Sequence, residues 1–230
     1  MSAVLFGSLS TLADTSELQR QAFNDAFAEH GLDWSWTRED YRSMLGSSGG
    51  ARRIADYAAN RGADVDAGAV HATKSRIFQG LLRDRPLMPR PGVLATIEHA
   101  KRENFHLGLV TTTSKANVSA LLDSLSPHIS PGTFDVVVDA DDVADPKPDP
   151  SSYRLALDRL GVTAGSAVAI EDNVGGVRAA TAAGLRCIAF PNENTAGSRF
   201  DGATEVADEL DAARVAELAA SDQNLEGDAR

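Results

Sequence analysis

The chain has 230 residues, of which 43% are hydrophobic and 24% are charged. This length and composition predict one α/β core with a smaller insert, and they exclude a largely disordered chain. The 33 Asp and Glu residues outnumber the 22 Lys and Arg residues, which gives a formal net charge of -11. Such a surface repels nucleic acid and anionic membranes, so neither is expected as a partner, and an anionic substrate needs a local positive pocket.

Three further features predict a cytoplasmic protein. No apolar run approaches the ~20 residues that a membrane span needs. The chain enters the apolar segment Ala3-Val4-Leu5-Phe6 without a basic leader, unlike a signal peptide. Cys187 is the only cysteine, so no disulfide can form within the chain, which fits a reducing compartment. We expect Cys187 to be a buried, inert thiol.

Short apolar runs alternate with helical patterns along most of the chain, which predicts a parallel sheet flanked by helices. The runs are almost continuously apolar, as expected for strands that are buried on both faces. Strands are predicted at 3–7, 106–111, 134–138, 167–171 and 186–190. Helices are predicted between and after them at 92–103, 114–124, 151–160 and 174–183, with a terminal helix from about residue 211.

Residues 15–87 break this alternation and predict a helical cap inserted after the first strand. Ser16 and Gln19 form a capping-box pattern that opens a helix, and Gly31 ends it. Further helical stretches are predicted near 37–45, 51–61 and 66–83. The predicted division is a core domain of residues 1–14 and 88–230 and a cap domain of residues 15–87.

Polar residues follow the predicted strands, and ligands of open α/β sheets bind at the carboxyl ends of strands. The second strand ends in Thr111-Thr112-Thr113-Ser114 before a helix. Hydroxyls and free N–H groups there suit a phosphate, although the same residues serve as a helix cap. Lys147 stands between prolines in 145–150, which either fixes a cation beside phosphate oxygens or makes a solvated turn.

The fourth strand ends in an acidic pair, Glu171 and Asp172, followed by Asn173 and a helix. Adjacent carboxylates after an apolar strand are costly unless they are solvated, paired or bound to metal. Oxygen ligands of this kind suit Mg²⁺, which usually takes one or two protein carboxylates and keeps several waters. Glu171 and Asp172 are therefore candidate metal ligands, and a polar helix cap is the alternative.

Together these strand ends resemble the haloacid dehalogenase superfamily, which consists mostly of Mg²⁺-dependent phosphatases with a Rossmann-like core. The likeness extends from about residue 3 to 210. It is greatest to the helical-cap branch that includes β-phosphoglucomutase, phosphoglycolate phosphatase and xylulose-bisphosphate phosphatase. Thr111 matches that family's second motif, Lys147 before Pro148 matches the third, and Glu171 with Asp172 matches the fourth.

The first motif of that family, Asp-x-Asp-Gly-Thr-Leu, is degenerate in this chain. Alignment on Thr11-Leu12 places Gly7 at the nucleophile and Leu9 at the general acid/base. Gly7 has no side chain with which to form an aspartyl phosphate, and Leu9 cannot transfer a proton. A metal ion also loses a ligand, so the resemblance implies weak or absent Mg²⁺ binding through Asp172 and Glu171.

The predicted cap also matches the resemblance in part. Glu17 and the run 49–54 resemble the sugar-phosphate-reading elements of the xylulose-bisphosphatase relatives, where a Lys is expected at Ala51 and a His at Gln19. Arg52 and Arg53 lie in this run, and the planar fork of Arg53 suits a distal phosphate. The alternative is a solvated, charged helix face.

The resemblance and its departure together predict a pseudo-phosphatase that holds a phosphate or sugar phosphate through Thr111, Thr112 and Lys147. Removing the nucleophile of another covalent enzyme costs on the order of 10⁶ in turnover. Two alternatives stay open. One is a Mg²⁺-dependent phosphohydrolase that acts on a small sugar phosphate or phosphoglycolate-like ester by a non-standard route. The other is a scaffold that binds a protein partner.

Overall fold

The structure is a computed structural model that describes residues 1–45 and 49–220. Its strands form one six-stranded sheet, in which every neighbouring pair is parallel. The strands are β1 (Ala3–Phe6), β2 (His106–Val110), β3 (Val136–Val138), β4 (Ala167–Glu171), β5 (Arg186–Ala189) and β6 (Glu205–Val206). The five predicted strands are confirmed. The two-residue edge strand β6 was not predicted, because so short a segment carries no periodicity.

The first helix after β1 lies in the predicted core segment 1–14, and the next four helices fill the segment 15–87 predicted to be a cap. They are α1 (Leu9–Leu12), α2 (Ser16–Glu29), α3 (Arg38–Ser43), α4 (Gly50–Asn60) and α5 (Ala67–Arg83). The later helices are α6 (Val93–Arg102), α7 (Lys115–Leu125), α8 (Ser151–Leu160), α9 (Val174–Ala182) and α10 (Ala212–Ala220). The α/β class with helices inserted after the first strand is confirmed, whereas the exact domain limits stay a prediction. No helix in the described ranges is long and apolar enough to cross a membrane.

Strand β1 is buried on both faces at the middle of the sheet. Val4 and Phe6 belong to one apolar cluster, and Ala3 and Leu5 belong to a second cluster on the opposite face. The inserted helices have an aromatic cluster of their own, and they also contribute to the first sheet cluster. The aromatic cluster is built on Phe23, Phe27, Trp36 and Tyr41, and the helical residues in the first sheet cluster include Leu18, Ala22, Phe78 and Leu82.

The strand order, β3-β2-β1-β4-β5-β6, determines which loops meet. The chain runs outward from β1 through β2 to β3, and then returns to pair β4 with the other side of β1. The order therefore reverses between β1 and β4, which is where open α/β sheets form a ligand crevice. The carboxyl ends of β1, β2 and β4 bring Gly7, Thr111 and Glu171 to one edge.

Candidate functional site

A cavity of about 750 Å³ lies between these strand ends and the inserted helices. That volume falls within the range of small-molecule sites, about 300–1,000 Å³. Among the described residues that line it, Asp172 is the one carboxylate. The basic side chains in the lining are Arg52, Arg53, His71, Lys74, Arg76, Lys147 and Arg178. The acidic protein therefore carries the local positive pocket that its composition requires for an anionic ligand.

Glu171 occupies the space beside Gly7. Its side chain is fully buried, and a Cβ atom on Gly7 or on Gly176 would approach the Glu171 carboxylate to well under 3.0 Å. The same Cβ atom on Gly7 would also meet the hydroxyl of Tyr153. The two glycines thus form the sides of a slot for the Glu171 carboxylate, which stands where the first atoms of a nucleophile's side chain would be.

Lys147 holds this carboxylate in place. Its Nζ atom donates to Glu171 Oε1 at 2.7 Å, to the Val110 carbonyl at 2.6 Å and to the Gly7 carbonyl. The Tyr153 hydroxyl donates to the same Glu171 oxygen at 2.9 Å. Burial raises the pKa of Glu171, and the Lys147 ammonium opposes that shift. Because a lysine has three N–H donors, Lys147 lines the cavity with no hydrogen left over for a phosphate.

Both carboxylate oxygens of Asp172 accept hydrogen bonds. Oδ1 accepts from the Ser8 hydroxyl at 2.7 Å and from Asn173 Nδ2 at 2.9 Å, and Oδ2 accepts from Asn192 Nδ2 at 2.6 Å. Sequence reasoning missed Asn192. The signal for Asn192 was present, because it follows the end of β5 as the other site residues follow their strands.

Leu9 begins α1 and is 4% exposed, within the same apolar cluster as Phe6 and Leu12. It lines the cavity with carbon alone. Thr111 and Thr112 also line the cavity, beside the N-terminus of the eleven-residue helix α7. The Thr111 hydroxyl accepts from the backbone N–H of Thr113 at 3.2 Å. Hydroxyls at a helix N-terminus suit an anion.

The predicted cap residues separate into two groups. Glu17 is absent from the described cavity lining; it is paired with Arg20 at 2.9 Å and accepts a hydrogen bond from Asn194 at 2.8 Å. Partial burial acts to raise the pKa of Glu17, but hydrogen bonds from Arg20, Asn194 and Arg38 lower it overall. Glu17 therefore connects the inserted helices to the loop after β5.

Arg52 and Arg53 both line the cavity, but their surroundings differ. The side chain of Arg52 is 77% exposed and lies 3.7 Å from Asp56. Arg53 is buried, and its guanidinium stands 5.9 Å from the ring centroid of Phe23 and 5.5 Å from that of Tyr41. Burial lowers the pKa of Arg53. Of the two predicted arginines, Arg53 is the one fixed at the cavity wall.

Lys74 is a cavity residue that sequence reasoning missed. It is 4% exposed, and its Nζ donates to Gln19 Oε1 at 2.9 Å. The Nζ atom also lies 4.8 Å from the ring centroids of Phe23 and Phe78. In the described parts of the chain no carboxylate pairs with it. Burial and then the charge of Arg53 lower the pKa of Lys74 to about 7. Among the described residues, Lys74 is thus a buried lysine without an anionic partner.

The fold and the site define a class: an α/β protein with a polar cavity at the topological switch point, covered by an inserted set of helices. A family model described as haloacid dehalogenase-like hydrolase matches residues 9–190. The chain belongs to that family, and the resemblance predicted from the four motifs is confirmed.

Two relatives and two solved structures are similar over almost the whole chain. Protein CbbY of Cereibacter sphaeroides is 42% identical over 209 residues, which are 90% of this chain and 91% of that protein. Protein CbbY, plasmid, of Cupriavidus necator is 39% identical over 211 residues, which are 88% and 83% of the two chains. A crystal structure of a CbbY mutant from Rhodobacter sphaeroides in complex with xylulose-(1,5)bisphosphate has a TM-score of 0.85 and 42% identity, and it covers 91% of this chain and 94% of that one. A second, in complex with phosphate, has a TM-score of 0.85 and 41% identity, with 96% and 97% coverage.

The acidic pair does not fit the Mg²⁺ ion that the family resemblance implies. Glu171 Oε1 accepts from Lys147 and Tyr153, while Oε2, which has no hydrogen-bond partner in the described structure, is enclosed against Gly176. Both oxygens of Asp172 already face donors. No group of three or more His, Cys, Asp or Glu residues in the described ranges is arranged to hold a metal ion.

Proposed function

We propose that the protein binds a small phosphorylated metabolite, a phosphate or sugar phosphate, in the strand-end cavity without cleaving it through an aspartyl phosphate. The observation that carries the proposal is Lys74, a buried ammonium on the cavity wall with no carboxylate beside it among the described residues. Burial of an uncompensated charge is costly. An anionic ligand in the cavity supplies the missing partner.

Donors for an anion lie at two ends of the cavity. At the helical end, Lys74 stands near Arg53 and the N-terminus of the eleven-residue helix α4. At the sheet end, Thr111 and Thr112 stand at the N-terminus of α7. Because helix N-termini favour anions, this arrangement suits a metabolite with a phosphate at each end. The complexes of the CbbY relatives with phosphate and with xylulose-(1,5)bisphosphate support this ligand class.

Binding without turnover follows from the two positions that differ from the family motif. Gly7 offers no atom to attack phosphorus, and the carboxylate that fills the neighbouring space, that of Glu171, is fully buried and bound to Lys147. Leu9 offers no proton to a leaving oxygen. Loss of a covalent nucleophile costs on the order of 10⁶ in turnover in a comparable case. Ordinary phosphatase turnover is therefore negligible.

The test is calorimetry with inorganic phosphate and with xylulose 1,5-bisphosphate, combined with an assay for released phosphate. We expect binding at millimolar or lower concentration with no release. Lys74→Met should weaken binding by at least about tenfold, because a hydrogen bond to a charged group contributes about 1.5–3 kcal/mol. Lys101→Met, an exposed lysine on α6, is the matched control. Absence of binding, or equal binding by the Lys74 variant, would contradict the proposal.

A second candidate, a phosphohydrolase with a non-standard route, is favoured by the 2.7 Å hydrogen bond from Ser8 to Asp172. In that route the Ser8 proton moves to Asp172 Oδ1 as Ser8 Oγ bonds to phosphorus. The bond from phosphorus to the leaving oxygen breaks, and that oxygen takes the proton from Asp172. Water then hydrolyses the phosphoserine, which releases inorganic phosphate and restores the Ser8 hydroxyl. Mass spectrometry decides, because a trapped phosphoryl group on the Ser8 peptide supports this candidate and an unmodified peptide after incubation with substrate removes it.

We propose a cytoplasmic location, because a chain with a single cysteine fits a reducing compartment. Cys187, the only cysteine of the chain, is buried in β5. Burial raises its pKa above the ordinary value, so the thiol stays protonated and unreactive. Oxidation during purification should therefore leave this thiol unmodified, which labelling with a thiol reagent before and after unfolding can test.

A further inference from the structure

We infer that this site binds its anion without a divalent metal ion, because Ser8, Asn192 and Lys147 hold the two carboxylates that would otherwise bind one. The inference rests on the proposed function for its ligand. It concerns the hydrogen bonds and ion pairs that the chain makes at the ends of β1 and β4.

The Glu171 side of the site is closed by an ammonium. Lys147 lies 2.7 Å from Glu171 Oε1, and the exposed side-chain fractions of the two residues are 8% and 0%. The remaining oxygen, Oε2, is enclosed against Gly176. A metal ion would have to displace the Lys147 ammonium from the buried Glu171 carboxylate. Otherwise it would have to enter the space between Gly7 and Gly176, which that carboxylate already occupies. The positive charge at this point is therefore supplied by the protein.

The Asp172 side is closed by neutral donors. Ser8 stands between Gly7 and Leu9, the two positions where the family motif has aspartates, and its hydroxyl donates to Asp172 Oδ1. Asn192 donates to Oδ2 from the loop after β5. The hydrogens of these donors lie on the oxygen lone pairs that a metal ion would use. Ser8 thus acts as a positioning residue for Asp172.

The charges of the site residues also favour anion binding without a metal ion. The Lys147 and Glu171 charges cancel, which leaves Asp172 as the one net negative side chain among the described lining residues. A Mg²⁺ site of the usual kind combines one or two carboxylates with substrate phosphates. Here the cations that face the phosphates come from the inserted helices, with Lys74 and Arg53 foremost. They supply the charge compensation that a metal ion gives in a phosphatase.

The experiment has two arms that fail separately. In the first arm Mn²⁺ is titrated into the ligand-free, full-length protein, and free Mn²⁺ is followed by electron paramagnetic resonance. We expect no micromolar binding that depends on Asp172. Micromolar binding that is lost in Asp172→Asn and kept in Asp145→Asn, an exposed acid of the loop after β3, would overturn the inference.

In the second arm inorganic phosphate is titrated calorimetrically, once with EDTA and once with excess Mg²⁺. We expect the two affinities to agree within about twofold, which corresponds to about 0.4 kcal/mol. A rise of tenfold or more with Mg²⁺ would overturn the inference. If phosphate binds in neither buffer, the proposed function fails, and the Mn²⁺ arm still decides the question of the metal.

A variant makes the role of Ser8 visible. Ser8→Ala removes the hydroxyl that donates a hydrogen bond to Asp172 Oδ1. We expect Mn²⁺ affinity to rise in this variant relative to the parent. Unchanged Mn²⁺ affinity in a folded Ser8→Ala protein would show that the hydroxyl does not hold the carboxylate away from metal.

Discussion

The carboxylate of Glu171 lies directly against the α-carbon of Gly7, in space that the Cβ atom of any other residue would need. The absence of a side chain at position 7 and the inward position of Glu171 are therefore two parts of one arrangement. Lys147 completes it, because its ammonium bridges the Glu171 carboxylate and the carbonyl of Gly7. The residues that a phosphatase would use on its substrate are here bound to one another.

The first prediction concerns the slot itself. Gly7→Ala should lower the free energy of unfolding by about 1–3 kcal/mol, as overpacking of a filled core usually does, and urea unfolding measures it. Gly80→Ala on α5 is the control, since a Cβ atom there meets nothing within 4 Å. The control should be at least as stable as the parent because alanine favours helix. A Gly7→Ala protein of parental stability would show that Glu171 does not fill this space.

The second prediction separates binding from stability at Lys74. Lys74→Met should raise the melting temperature while weakening phosphate binding, because a desolvated cation is replaced by an apolar chain between Phe23 and Phe78. Differential scanning calorimetry without ligand measures the first effect. A fall in melting temperature would mean that the ammonium has a compensating partner, and it would remove the main support for the anion site.

The third prediction is that Lys74 makes the free energy of unfolding depend on pH. The folded pKa of Lys74 is about 7, against an ordinary value of 10.5. Below pH 7 the residue is protonated in both states, and its burial penalty is fully present. Between pH 7 and about 10 the unfolded chain binds more protons, so the free energy of unfolding rises with pH.

The measurement compares the parent with Lys74→Met by urea unfolding at several pH values from 6 to about 10. Methionine does not titrate, so the stability advantage of the variant should shrink as pH rises. His71 has a pKa lowered to about 4 by burial, so it stays neutral throughout this window, and Arg53 stays charged. If the difference in free energy of unfolding between the two proteins stayed constant with pH, the pKa of Lys74 would not be lowered in the folded protein.

The fourth prediction concerns restoration of the family motif. The triple variant Gly7→Asp, Leu9→Asp, Ser10→Gly should show Mg²⁺-dependent phosphatase activity that the parent lacks, because it regains a nucleophile and an acid/base. The new Asp side chain at position 7 can fit only if the Glu171 carboxylate moves out of the space beside Gly7. Gly7→Asp alone therefore serves as the control, and it should stay inactive because Leu9 is unchanged. Equal activity in the parent would contradict the account.

The fold could be predicted from the sequence because its signals are local. Strands β1 to β5 lie in apolar runs, and helix α8 is predicted at its observed limits, 151–160, because Gly161 ends it with a left-handed backbone. Strand β6 carries no such signal, and it pairs with β5 only through tertiary packing. The meeting of Thr111, Lys147 and Asp172 at one edge also followed, since parallel strands share their carboxyl ends.

The partners within the site could not be predicted in the same way. Lys147 pairs with Glu171 because the missing side chains of Gly7 and Gly176 leave room for the Glu171 carboxylate. These two glycines are far apart in sequence. Lys74 had a signal that was overlooked: Val70, Lys74, Phe78 and Leu82 repeat at intervals of four and are all buried on α5. A lone lysine in an apolar helical stripe indicates a buried cation, and only the fold shows that it faces a cavity.

The most direct test of binding without cleavage is ³¹P nuclear magnetic resonance of xylulose 1,5-bisphosphate mixed with the purified protein in excess Mg²⁺. We expect that the ligand resonances shift or broaden, that Lys74→Met removes this change, and that no inorganic phosphate signal grows. Steady accumulation of inorganic phosphate beyond the amount of protein present would contradict this expectation, because the cavity would then turn over its ligand despite Gly7 and Leu9.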